Sequence, residues 1–588
     1  MARTRVAPPP PKLPDALAGW ALVLIDALAS AGVTEIVATP GRSALPYFLA
    51  AKRDPRLRVH HVLDERAAAF FALGQARVTG RPSAVMCTGG TAGAHFYPAV
   101  IEAAMAYVPL LLITCDRPLD EKDCGLHQSI DQTRMFGSYT RKFVELGTPD
   151  YHPQAVRGVR RAAMQAVHAT LWPTPGPVQI NARSRSPRVP DWDAVPAAST
   201  DLLQRPRTIA PVTVPAPDAS VVADIAKECL SLRRGVIVAG PAPLAQASAR
   251  RDVAALAALT GYPVLASATS QLRFGGAPGA QGYDVFLGSA ALRTELAPEL
   301  ILQLGAASMS ASFGEYEVAA GNARRIVIAA HGWPDMWGTA VKMIACEPSA
   351  FVPALVAALE AKPPVVDRAW RTAFANADRE AWKLVDASVR KKTLSEGAAT
   401  REVVSSLPRD SLLAVGNSMA VRHLDYFCPG DLAEVGVLSQ RGASGIDGLI
   451  AGAAGSARVA RKPVTLLVGD VSFLHDLGAL ATARELATPL VIVVLHNDGG
   501  RIAELSSAGA TAGDAAALTV FPHGIADLGP SVRMFGHRFK RVGSQRELRS
   551  ALKAAHRHDG CSVIQVDVPP HGVAEQYRAL WSATAADD

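Results

Sequence analysis

Two stretches in the last third of the chain place oxygen ligands where parallel strands end. Val464–Val468 reads as a strand entering Gly469 and Asp470, with a helix starting at Val471. Leu490–Leu495 reads as the next strand, ending at His496, Asn497, Asp498, Gly499 and Gly500. Neighbouring strands would bring Asp470 and Asn497 together, and the Gly499 carbonyl would add a third oxygen. Such a hard-oxygen set suits Mg²⁺ together with phosphate oxygens. A helix N-terminus at the carboxyl end of a parallel strand offers unpaired N–H groups to a diphosphate. Turns are also rich in Gly, Asn and Asp for conformational reasons alone, and by themselves these residues read equally well as plain turns.

The elements that must position such a site are βαβ units. Short β-branched runs alternate with Ala-rich helical patterns, which predicts an α/β class with doubly wound parallel sheets. Strands are expected at Glu35–Ala38, Arg58–His61, Ser83–Cys87 and Leu110–Thr114, with a helix over Glu65–Thr79. A second set is expected at 235–240, 300–305 and 325–329, and a third begins at Ser411–Val415. Prolines between Ser184 and Pro217 predict a linker, since they interrupt helices and central strands. The expected organisation is a disordered leader over 1–14, a first domain over 15–190, a linker over 191–217, a middle domain over 218–362, a helical linker over 363–400 and a last domain over 401–588. The apolar stretch Ala16–Val33 carries Asp26 and reads as an amphipathic helix rather than a signal sequence.

Composition excludes several function classes. The 60 basic and 53 acidic residues are spread along the chain without basic runs, which argues against nucleic acid as a partner. Apolar runs are far shorter than the roughly 20 residues a membrane helix needs, so no membrane span is expected. The seven cysteines form no C-x-x-C pair and sit at no metal spacing, which suits a reducing cytoplasm. No G-x-G-x-x-G follows the early strands, which argues against a nicotinamide dehydrogenase.

Beyond the strand ends, motifs recur in a fixed order: Asp64–Ala68, Thr114–Pro118, Gln128–Gln132, Gly416–Met419 with Arg422, Arg441–Gly448, Gly469–Asp476 and Asn497–Gly500. Taken together the chain resembles the thiamine-diphosphate-dependent enzymes, and within them the carboligases of menaquinone biosynthesis. The resemblance implies three domains, pyrimidine-binding, middle and diphosphate-binding, with the middle one matching weakly. It implies thiamine diphosphate held through Mg²⁺, with Mn²⁺ as a substitute, by Asp470, Asn497 and Gly499. Glu65 would be the catalytic residue, hydrogen-bonding the aminopyrimidine ring and favouring the imino tautomer that removes the thiazolium proton. Ser418, Gly442, Ala443, Ser444, Gly469, Ser472, Phe473 and Ile502 would complete the cofactor site. Arg42, Ser43, Arg117, Gln128, Arg422 and Arg441 would bind the substrates, 2-oxoglutarate and isochorismate, whose carboxylates call for the arginine fork. A homodimer or homotetramer with active sites at the subunit interface is implied as well.

Some residues depart from the family pattern. Arg42-Ser43 exchanges two residues, Ala311 stands where a basic residue is expected, and the 88–91 loop has Gly for Ser. After Gly500, Arg501–Ser506 lacks an aromatic and carries charges, which predicts a lid of different chemistry. These departures leave open a related carboligase or 2-oxoacid decarboxylase with another acceptor. A non-catalytic binding protein is the third reading, against which the retained Glu65 argues.

Overall fold

Runs of three to eight mostly apolar residues form three parallel sheets in a computed structural model that describes residues 14–122, 124–185, 189–275, 279–390, 392–484, 486–505 and 520–585. The expected leader lies outside the described residues except for Pro14. The α/β expectation holds, because helices flank parallel sheets whose central strands are buried on both faces. The chain divides into two compact units, one ending at Val212 and one starting at Thr213, apart from the short piece 77–79, which groups with the second.

The first unit holds β1 (Glu35–Ala38), β2 (Arg58–His61), β3 (Ser83–Cys87), β4 (Leu110–Asp116), β5 (Lys142–Glu145) and β6 (Pro177–Arg183), in spatial order β2-β1-β3-β4-β6-β5. The helix Ala16–Ser30 is buried nearly all round rather than amphipathic. Asp26, only 6% exposed, is tolerated there because Arg56 and Arg207 pair with it at 2.8 and 2.7 Å. The stretch expected as a linker over 191–217 carries structure: a turn at Trp192–Ala194 and a helix at Ala197–Gln204, whose Leu202 joins the first core. Pro196 and Pro206 flank this helix instead of interrupting it, positions at which a missing N–H costs little.

The second unit holds two sheets. One contains β7 (Gly235–Ala239), β8 (Val264–Ala266), β9 (Leu300–Leu304), β10 (Arg324–Ile328) and β11 (Ala340–Ile344), ordered β11-β10-β9-β7-β8. The other contains β12 (Leu412–Val415), β13 (Gly436–Ser439), β14 (Val464–Gly469), β15 (Pro489–His496), β16 (Arg538–Val542) and β17 (Gly560–Asp567), ordered β13-β12-β14-β15-β17-β16. The helix Arg368–Val389, expected as part of a linker, is core: Trp370, Phe374 and Val385 pack with Tyr283, Phe427 and Tyr577. Its amphipathic period supplies the apolar face that this packing needs. The helix Glu396–Ser405 also starts inside the expected linker and runs across its end.

Candidate active site

The register of the last sheet brings the oxygen ligands together. β14 pairs with β15 from Val464↔Leu490 to Gly469↔Leu495, so the two strands end level and release Asp470 and Asn497 side by side. Asp470 is 1% exposed, and its carboxylate accepts from the N–H groups of Val471 (2.8 Å), Asn497 (3.1 Å) and Gly499 (3.2 Å). Gly499 has φ +140°, and a Cβ there would lie 2.6 Å from the Val520 carbonyl, so this loop requires glycine. The Asn497 amide donates through Nδ2, while its buried Oδ1 has no hydrogen-bond partner among the described residues. Leaving such an oxygen unpaired costs about 1–3 kcal/mol, and a bound cation would remove that cost. A carboxylate, an amide oxygen and a nearby carbonyl are the donors Mg²⁺ takes, so the residues fit the ion.

Two imidazoles, without a counterpart in the motif reading, face the same carboxylate. Ligand atoms of Asp470, His496 and His523 all lie within 4.8 Å of one another. His523 Nδ1 accepts from the Ile525 N–H at 3.1 Å, and its Nε2 lies 3.2 Å from Asp470 Oδ2. The helix expected to start at Val471 starts one residue earlier, spans Asp470–His475 and continues as a 3₁₀ segment over Leu477–Ala483. Phe473 is fully buried and Ser472 is 5% exposed. Asp476, at the end of this motif, accepts from the N–H groups of Ile450 (2.8 Å) and Ala451 (3.1 Å), thereby capping the helix Leu449–Ala460.

That helix follows the loop carrying Arg441, Gly442, Ala443 and Ser444, and Asn417 organises the loop. Its Nδ2 lies within reach of the carbonyls of Gln440 (2.9 Å), Ser444 (2.7 Å) and Gly445 (3.0 Å), and its Oδ1 accepts from Arg441 Nη1 (2.9 Å). The next residue, Ser418, turns from β12 into the helix Met419–Phe427 with φ 59° and ψ −127°, a conformation unfavourable for any residue with a Cβ. Arg422 donates back to the Ser418 carbonyl at 2.7 Å.

Arg422 and Arg441 line one cavity of about 260 Å³, with Ile502, Ala311, Asp284 and Asp425 also in its wall. Arg501 and Glu504, expected to give the lid its character, pair with each other at 2.9 Å. Arg501 also donates to the carbonyls of Asn497 and Asp498, leaving Ile502 and Leu505 to face the cavity. Among the described residues 501–505, the side chains lining the cavity are therefore apolar. Burial, and the like charge of Asp425, push the Asp284 carboxyl up to about 7 against a hydrogen bond from Ser310 and the charges of Arg273 and Arg422. Nothing in the local sequence marks Asp284, because its role depends on a cavity built from distant segments.

In the first unit, the remaining candidates sit at carboxyl ends of parallel strands. Glu65 is the first residue of the helix Glu65–Thr79, after β2, with Asp64 capping through the Ala67 N–H at 2.8 Å. Arg42 is exposed and Ser43 is buried in the loop after β1. Gly41, in the same loop, lies so close to Thr88 that a Cβ there would be 2.3 Å from Thr88 Cβ. Arg117 follows β4 and donates to the His127 carbonyl at 3.1 Å, next to Gln128. Gly90, in the loop that departs from the family pattern, has φ +77° and would carry a Cβ 2.6 Å from Gln128 Cγ, so glycine there gives Gln128 its room.

Each unit is matched by a family model. The N-terminal TPP binding domain of thiamine pyrophosphate enzymes matches residues 20–135, and the C-terminal TPP binding domain matches 422–566. The class is thus a thiamine-pyrophosphate-dependent enzyme, as the ordered motifs imply. Among curated proteins, 2-succinyl-5-enolpyruvyl-6-hydroxy-3-cyclohexene-1-carboxylate (SEPHCHC) synthase of Sorangium cellulosum is 44% identical, over 97% of this chain and 95% of the relative. Those of Myxococcus xanthus and Haloarcula marismortui are 36% and 33% identical, covering 96% and 97% of this chain and 97% and 98% of their own. The chain belongs to the SEPHCHC synthase family. No helix among the described residues is long and apolar enough to cross a membrane.

Proposed function

We propose that the protein is a transferase that decarboxylates 2-oxoglutarate and adds the remaining four-carbon fragment to isochorismate, giving SEPHCHC in menaquinone biosynthesis. The observation that carries this reading is the cavity: two arginines, Arg422 and Arg441, share its wall with Ile502, which belongs to the turn hydrogen-bonded to Asn497. Substrate carboxylates would be held by the arginine forks while the apolar turn excludes water. Mg²⁺, or Mn²⁺ in its place, would be held by Asp470, Asn497 Oδ1 and the Gly499 carbonyl. The diphosphate would lie against Gly469, Ser472, Phe473 and the 442–444 loop, with Ser418 adding a neutral hydrogen bond.

Thiamine diphosphate supplies the electron sink for loss of CO₂. Glu65 would exchange a proton with a ring nitrogen of the cofactor. Arg42, Ser43, Arg117 and Gln128 would receive the acceptor substrate. In the arrangement the family implies, Glu65 of one subunit serves the Asp470 and Asn497 of another, so the working form is a cytoplasmic homodimer or homotetramer. Light scattering tests that; a monomer that retains full activity would refute it.

The deciding experiment loads the protein with thiamine diphosphate and Mg²⁺, supplies 2-oxoglutarate with and without isochorismate, and follows CO₂ and adduct by mass spectrometry. Adduct formation is expected. Release of CO₂ without adduct would favour the second reading, a related carboligase or 2-oxoacid decarboxylase with another acceptor. What supports that alternative is Ala311, an apolar residue in the cavity wall where the family has a base.

A further inference from the structure

Glu396 is the first residue of its helix and lies far in sequence from Asn497, yet the two meet in the interior. Glu396 is 4% exposed, His423 0% and Tyr577 1%. Glu396 Oε1 accepts from Asn497 Nδ2 at 2.7 Å, Glu396 Oε2 lies 2.7 Å from His423 Nε2, and His423 Nδ1 lies 3.1 Å from the Tyr577 hydroxyl. Chemistry assigns the hydrogens along this chain. A carboxylate only accepts, so His423 donates to Glu396 from Nε2, and its Nδ1 faces the Tyr577 hydroxyl. Asn497 can offer Glu396 only its NH₂ group.

An asparagine amide has two ends of nearly equal size and opposite chemistry, and only the oxygen end can ligate a cation. With its NH₂ held by a buried carboxylate, the Asn497 amide cannot rotate without setting two oxygens against each other. Its unpartnered Oδ1 is the atom left over. Tyr577, at the far end of the chain, lines the same cavity as Arg422 and Arg441.

We propose that Glu396 is a positioning residue for the metal site: it locks the Asn497 amide with its oxygen toward the cation, and through His423 and Tyr577 it ties that orientation to the wall of the substrate cavity. The inference rests on the reading of Asn497 as a metal ligand. Partners one step behind the ligands typically set metal affinity within 10–100-fold, because they determine how the ligand atoms point.

The test measures Mn²⁺ affinity of the full-length protein at saturating thiamine diphosphate, by the paramagnetic resonance of free Mn²⁺. The variants are Asn497→Ala, Glu396→Ala, the double substitution and Glu396→Gln, each checked for fold by circular dichroism. Glu396→Ala is expected to weaken Mn²⁺ about 10–100-fold in the native background, and by less than about 3-fold when Asn497 is already Ala. Glu396→Gln keeps the side-chain volume but offers Asn497 a donor as readily as an acceptor, so a loss of about 3–10-fold is expected. That loss should likewise vanish beside Asn497→Ala, which preserves the comparison if Glu396→Ala does not fold. Equal losses in both backgrounds, or native affinity in the Glu396 variants, would overturn the proposal. Native affinity in Asn497→Ala alone would instead remove the ligand assignment beneath it.

Discussion

Ser418 offers a way to separate a backbone cost from a chemical role. Its φ of 59° with ψ of −127° lies outside the regions open to residues with a Cβ, and such conformations cost about 1–3 kcal/mol. Replacing Ser418 by Gly removes the Cβ and that cost, but gives the unfolded chain extra freedom worth about 0.4–1 kcal/mol. Replacing it by Ala removes the hydroxyl and keeps the strain. Glycine should therefore be more stable than alanine at this position by about 1 kcal/mol, which in a domain of this size raises the melting temperature by about 1–3 °C. Both variants lose the same hydroxyl, so kcat/KM should fall equally in each, by about 5–10-fold for one neutral hydrogen bond. Scanning calorimetry of the two proteins, with steady-state kinetics beside it, reads both quantities. An alanine variant as stable as the glycine one, or more so, would refute the idea that the turn out of β12 holds strain for the sake of the serine.

Other expectations follow from the cavity and its supports. Arg422→Ala should lower kcat/KM for 2-oxoglutarate about 30–5,000-fold, matching about 2–5 kcal/mol for a charge-assisted contact to carboxylate, and Arg422→Lys should recover only part of it; full activity in the lysine variant would show that the fork is not used. Because burial and Asp425 hold the Asp284 carboxyl near 7, it gains negative charge as pH rises through that value. KM for an anionic substrate should then climb between pH 6 and 8, and Asp284→Asn should flatten the profile; a native profile in that variant assigns the titration elsewhere. Asp476→Ala leaves two buried N–H groups of the helix Leu449–Ala460 without their cap, so a stability loss of about 2–3 kcal/mol is expected in thermal unfolding. An unchanged melting temperature would mean that another group takes over the cap.

Much of the scaffold was legible from local pattern. β1, β2 and β3 match the expected ranges residue for residue, because short extended segments bounded by turn residues and helix caps carry their own boundaries. The helix Ala197–Gln204 was not legible: prolines around it read as a linker, whereas they flank a short helix that finds its stability by packing Leu202 into the first core. The helix Arg368–Val389 reads as a connecting element because its charged face dominates the sequence, and only the packing shows its apolar face as core.

At the site, the residue types and their order within motifs were enough to specify the class of chemistry. Asp470, Asn497 and Gly499 lie at strand ends whose register follows from neighbouring hydrophobic strands, and Gly499 is required by a close backbone approach within its own loop. Tertiary structure alone decided which groups support them. Glu396 reaches Asn497 across 101 positions of sequence, His423 reaches Tyr577 across 154, and Asp284 gains its raised pKa from burial and from the Asp425 carboxyl on another element. It also turned Arg501 and Glu504, charged residues expected to define the lid, toward each other and left Ile502 and Leu505 facing the cavity. The physical reason is range. Turn conformation and strand period are dictated by neighbours along the chain, whereas desolvation, ion pairing and the orientation of an amide depend on which distant groups the fold buries together.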